Sequence, residues 1–107
     1  MHHVLRARFC VERGQCWQAE FWIGEARDYA LSLACLSRGL PARYARGFDD
    51  LPLEVLGPFE EAIVGSLDRE ELLRALRAAA EGLLREAGEA HDLADRVRPQ
   101  LLALVSS

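Results

Sequence analysis

The stretch WQAEFWIGEARDYALSLACL, residues 17–36, contains no proline and a single glycine, and it predicts one long helix. On a wheel at ~100° per residue, Gly24, Arg27, Leu31, Ala34 and Arg38 fall within ~40° of Glu20. A second apolar face gathers Ala19, Trp22, Ala26 and Leu33, which leaves a narrow wet strip of Gln18, Glu25 and Ser32. The helix therefore needs cover on two sides, and one of those sides carries a glutamate and an arginine two turns apart. Two readings fit the pair. Glu20 and Arg27 form an intramolecular ion pair or sit exposed at the bundle's end, adding little stability over apolar replacements. Alternatively the stripe is a site or an interface, in which small Gly24 permits close approach and the two charges supply polar contacts. Asp28, beside the stripe, fits either.

Helical periodicity extends outward from this segment. Gly14 separates HHVLRARFCVER from the long helix, and RGLPARYARGFDDLP (residues 38–52) is the one substantial loop. LEVLGPFEEAIVGSL (residues 53–67) reads as a helix interrupted early, with Pro58 at a first-turn position. Asp68 and Glu71 make a capping-box-like start for the next helix. There Leu72, Leu73, Leu76, Ala79, Ala80, Leu83 and Leu84 keep one buried face, while Arg74, Arg77, Glu81 and Arg85 take the other. Gly88 closes that helix and a last one follows, with Pro99 placed to kink it. No segment alternates with period two, and nothing repeats. The expectation is a single all-α domain over residues 1–107, an up-and-down bundle of four to five helices.

With 107 residues the chain is long enough for one core. All thirteen basic residues are arginine, a bias expected of a GC-rich genome, so single arginines carry less functional weight. The net charge of −4 makes nucleic acid and anionic membranes poor partners. Cys10, Cys16 and Cys35 form no Cys-x-x-Cys and sit among apolar neighbours, as reduced core thiols do. No apolar run has the length of a signal peptide or a membrane span, so the expected location is cytoplasmic. His2 and His3 are too few and too terminal to read as ligands, and no metal set is apparent.

The segments AEFWI, ARD and GFDDLP, followed by a capped Leu/Ala/Arg helix, resemble the C-terminal helical domain of bacterial nucleotidyltransferases. In that group a polymerase-β-type catalytic domain is paired with such a bundle, as in the antibiotic-modifying enzymes, and the bundles are also similar to HEPN domains. The resemblance covers roughly residues 4 to 105. It implies a substrate-binding wall of an acceptor cleft, with Glu20, Gly24, Arg27 and Asp28 as the contact residues and Glu20 as a possible general base in a complete enzyme. Arg27 would hold Glu20 or meet a phosphate, and Asp28 would support it. The catalytic half departs from the pattern. Two carboxylates one residue apart on a strand should hold the magnesium ions. Here Gly65-Ser66 runs into Asp68-Arg69-Glu70 at a helix start. The implied partner is thus a nucleotidyltransferase catalytic domain, in cis or trans, which alone would carry ATP or another nucleotide with Mg²⁺. This chain itself would need no cofactor, and a homodimer is possible.

Two other patterns bear on function. Arg85 and His91 have the spacing of the HEPN ribonuclease motif, so the alternative is a stand-alone HEPN-like ribonuclease or toxin–antitoxin component. Gly88 between them and the acidic residue after Arg85 weigh against it. In the loop, Arg38, Arg43 and Arg46 interleave with Tyr44 and Phe48, a pattern that also serves single-stranded nucleic acid. Asp49 and Asp50 are expected to neutralise those arginines and cap the following helix.

Overall fold

The computed structural model describes residues 2–87. Among them all regular structure is helical: α1 (His2–Glu12), α2 (Cys16–Ser37), α3 (Leu53–Glu60) and α4 (Arg69–Ala87), with 3₁₀ turns at Arg43–Ala45 and Phe48–Asp50. The segments after Gly88, including the Pro99 helix and His91, lie outside the described residues.

Glycine ends the first two helices in the same way. Gly14 and Gly39 both take φ +71°. After α1, Gln15 N–H donates to Cys10 O at 2.8 Å and Gly14 N–H to Val11 O at 3.1 Å. After α2, Leu40 N–H donates to Cys35 O at 2.9 Å and Gly39 N–H to Leu36 O at 3.3 Å. This paired 6→1 and 5→2 pattern satisfies the last carbonyls and requires a left-handed residue, which glycine adopts without a Cβ penalty.

α2 packs most extensively on α4, and next on α1. Its buried face is Ala19, Ile23, Ala26, Ala30, Leu31, Ala34 and Cys35. The four alanines keep the helix surface flat, so the larger Leu72, Leu76 and Leu83 of α4 reach it. Ile23, Leu72, Leu76 and Val4 are fully buried and each contributes about 1.5–3 kcal/mol. Arg69 Nη1 donates to Val11 O at 3.4 Å, which fixes the start of α4 beside the end of α1. Arg38 Nη1 lies 3.6 Å from Glu86 Oε2, tying the ends of α2 and α4. Those two helices therefore run in the same direction and α1 runs against both. Residues 38–68 make the return, and only α3 within them is α-helical.

Several expectations need correction. The two apolar faces of α2 merge into one broad sector centred on Ile23, Ala30 and Ala34, with Trp22 and Leu33 half-buried at its edge. The opposite strip is wide rather than narrow, and Phe21, Tyr29 and Leu36 stand exposed on it. On α4, Ala75 takes a core position and Leu73 is only half-buried. The helix expected over 53–67 stops at Glu60, and Pro58 lies in its last turn, not its first. There the missing N–H removes a bond to the carbonyl four residues back, and the helix continues for only two more residues. Of the thiols, Cys10 and Cys35 are buried while Cys16 is half-buried, and all are free. Burial also pushes the Cys35 thiol up, against a smaller lowering influence of Arg38, so it stays protonated and inert.

The capping box is rebuilt as a clamp. Glu71 Oε2 accepts the Gly65 N–H at 2.7 Å, while Asp68 N–H donates to Ser66 Oγ at 3.4 Å. Arg74 donates through Nε and Nη2 to both Glu71 oxygens, each at 2.7 Å. Its Nη1 reaches Glu61 O at 2.7 Å and its Nη2 reaches Ile63 O at 3.2 Å. One guanidinium thus holds the whole turn that follows α3.

Candidate functional site

A groove of about 510 Å³ opens between α2, the 43–50 loop and α3. α2 supplies Arg27, Asp28 and Leu31; the loop supplies Ala45 and Phe48; α3 and the turn after it supply Leu56, Phe59, Glu60 and Ile63. Each element has a local reason to be there. Gly47 is buried with Pro41 O directly over it, so any side chain would collide with backbone and only glycine lets the loop fold back. Tyr44 and Ala45 take φ of 58° and 61°, which turns the chain so that Phe48 packs on the core and Ala45 meets the groove. On the far wall, Phe59 is anchored because Gly82 of α4 leaves space for its ring. The floor is therefore apolar and the rim is charged, the composition of a small-ligand site.

Arg27 is the best-placed polar group on the rim. Its Nε donates to Asp28 Oδ1 at 3.0 Å, and its side chain keeps 25% of its exposure against 51% for Asp28. The guanidinium folds back along the helix until Nη2 stands 3.6 Å from where a Gly24 Cβ would be. Side chains on a helix lean towards its N-terminus, which explains that direction. Nothing else within 4 Å of that position comes from another element, so Gly24 seats a side chain of its own helix and does not admit a neighbouring backbone. Glu20 is exposed, and among the described residues it has no ion pair. Among the described residues Glu20 and Arg27 form no ion pair with each other. Arg27 and Asp28 line the groove, whereas Glu20 and Gly24 lie along α2 beyond it.

Chemically, the rim offers one guanidinium and two exposed or half-exposed carboxylates, Asp28 and Glu60. Such a rim suits a ligand bearing ammonium or hydroxyl groups, which the free carboxylate oxygens accept. Among the described residues no three His, Cys, Asp or Glu side chains converge as metal ligands. Among the described residues no serine, threonine or cysteine lines the groove.

The remaining sequence candidates separate. Arg85 lies in the last turn of α4 with its guanidinium 5.5 Å from the Phe59 ring centroid, a stacking contact on the back of the groove wall. Its proposed companion His91 is outside the described residues. Asp49 and Asp50 do not neutralise the loop arginines: among the described residues neither has an ion pair, and α3 starts after Pro52 with no side-chain cap. Arg43 and Arg46 instead stack on Tyr44, at 5.2 and 5.9 Å from its ring centroid, and Arg38 turns to Ala34 O and Glu86. Leu56, Phe59, Glu60 and Ile63 were not legible as site residues, because their sequence pattern is that of a helix face and only the return of the chain sets them opposite Arg27.

No helix among the described residues is long and apolar enough to cross a membrane. No family model, no curated protein and no solved structure matches this chain.

Proposed function

We propose that this chain is the helical accessory, substrate-binding domain of a nucleotidyltransferase, a HEPN-like up-and-down bundle that forms one wall of the acceptor cleft. The observation that carries the reading is the Arg27–Asp28 pair set opposite Glu60 across an apolar floor. An acceptor bearing amines and hydroxyls would be held by the carboxylates, with Arg27 fixing Asp28 and facing the incoming phosphate. Glu20, exposed one turn beyond Gly24, is the candidate general base when the catalytic domain closes over α2. That domain, in cis or trans, would bring the nucleotide and Mg²⁺, and this chain by itself would transfer nothing.

Titration of the chain with an aminoglycoside such as kanamycin, followed by calorimetry, tests the reading. Saturable binding in the millimolar range or tighter is expected, weakened at least about tenfold by Asp28→Asn or Glu60→Gln, a loss of about 1.4 kcal/mol. Absence of saturable binding across a panel of aminoglycosides and lincosamides would sink it. So would nucleotide transfer by the isolated chain.

A further inference from the structure

A second groove, of about 440 Å³, runs between α1 and α2 and shares no residue with the one beside Arg27. Helical spacing builds its walls. Arg6, Phe9 and Arg13 stand three and four residues apart along α1 and the turn after it. Gln15, Gln18 and Trp22 repeat that spacing at the head of α2. Because the two helices run in opposite directions, each triplet faces the other. Gln15 N–H donates to Cys10 O at 2.8 Å, so the Gly14 turn forms one end of the groove.

The charge on these walls has one sign. Among the described residues the lining holds two guanidiniums and no carboxylate. Neighbouring acids are engaged elsewhere: Arg8 holds Glu12 at 3.0 Å, and Glu25 acts on His3. Arg8, Arg27, Arg38 and Arg74 have carboxylate partners, whereas among the described residues Arg6 and Arg13 have none. Each rests on an aromatic ring instead, Arg6 at 5.1 Å from the Trp22 centroid and Arg13 at 5.8 Å from that of Phe9. A guanidinium stacked on a ring is held in place while its in-plane N–H donors stay available to an anion. Guanidinium and amide N–H groups recognise oxyanions, and Phe9 and Trp22 beside them cover a flat apolar body. Two arginines in a chain of net charge −4 are too few to hold a polyanion, whose binding rests on many phosphate contacts, so the ligand that fits is small.

We propose that the α1–α2 groove binds a small aromatic acid, a flat ring system carrying a carboxylate or phosphate group. The ring lies against Phe9 and Trp22, and the oxyanion meets Arg6 and Arg13, with Gln15 and Gln18 as further donors. Arg27, Asp28 and Glu60 do not line this groove, so the site stands whether or not the Arg27 groove takes an acceptor.

Calorimetry of the full chain with naphthyl phosphate and with naphthoate reads the outcome. Saturable binding with a Kd of about 0.1–1 mM is expected for at least one of them, as suits a ligand of that size, and the tighter of the two names the head group. Arg6→Gln and Arg13→Gln should each weaken it at least about fivefold with unchanged circular dichroism. Both arginines are exposed, so neither change removes core packing. Arg43→Gln, which deletes an arginine stacked on Tyr44 away from the groove, should leave the affinity as it was, and so should Asp28→Asn. On titration the indole N–H resonance of Trp22 should move more than that of Trp17, which lies outside the lining. Inorganic phosphate and neutral naphthylmethanol, the head group and the ring taken separately, should each bind at least about tenfold more weakly than the tighter acid. Equal affinity for either fragment overturns the proposal, since the groove would then read only charge or only apolar surface. Absence of saturable binding of both acids up to about 10 mM, or binding that neither arginine variant weakens, overturns it equally.

Discussion

Arg27 donates its Nε to Asp28, the next residue in the chain, and leaves Glu20, two turns upstream, without an ionic partner among the described residues. Adjacent helix positions point about 100° apart, so such a pair forms only because the arginine stem is long enough to bend round. The consequence is that the two charges which look coupled in the sequence are separate in the fold, and the carboxylate that matters to Arg27 is the one beside it.

Stability should follow that geometry. Glu20→Gln should shift the unfolding free energy by less than about 0.5 kcal/mol, as exposed unpaired charges do. A double-mutant cycle of Glu20→Gln with Arg27→Met should give coupling near zero, while Arg27 with Asp28→Asn should couple by about 0.2–1 kcal/mol. Urea midpoints measure both. Strong Glu20–Arg27 coupling would restore the buried-pair reading.

Gly82→Ala should be among the most disruptive conservative changes. Its Cβ would enter the space of the Phe59 ring, and overpacking of this kind costs about 1–3 kcal/mol. Phe59→Leu in the same chain should relieve part of the loss. Thermal melts of the two single variants and the double test this, and an unrelieved double variant would locate the strain elsewhere.

The Glu71 carboxyl is held down at about 2 from an ordinary 4.5, first by the Arg74 hydrogen bonds and then by the Gly65 N–H. A depressed carboxyl means the folded state favours the ionised form. Its stabilisation is complete above about pH 4.5 and drains away as the pH falls towards 2. Urea unfolding across that window should show stability falling in the wild type and a flatter profile in Glu71→Gln. Parallel profiles would mean that other carboxylates carry the acid sensitivity.

Ala45→Gly should stabilise the chain by about 1 kcal/mol, because alanine at φ 61° carries a left-handed penalty that glycine does not. Denaturant midpoints decide it. A loss of stability would show that the gain in unfolded-chain entropy outweighs the relieved strain.

The sequence by itself determined the helices that are long and periodic. α2 and α4 follow from unbroken runs whose apolar positions recur every three or four residues, and the break at Gly14 follows from the left-handed cap that glycine provides. It also marked Arg27 and Asp28 as residues worth placing. What it left open was everything settled between segments distant in the chain. Which sector of α2 is core depended on α4 and α1 arriving over Ile23, Ala30 and Ala34. The end of α3 depended on Arg74 holding the turn at Glu61 and Ile63. The site itself is of the second kind: Glu60 and Phe59 face Arg27 only because residues 38–68 return across the bundle. Periodicity reports that a helix has a side to bury, but the choice of side is made by whichever neighbour removes the most apolar surface from water, and that neighbour is fixed only in the tertiary structure.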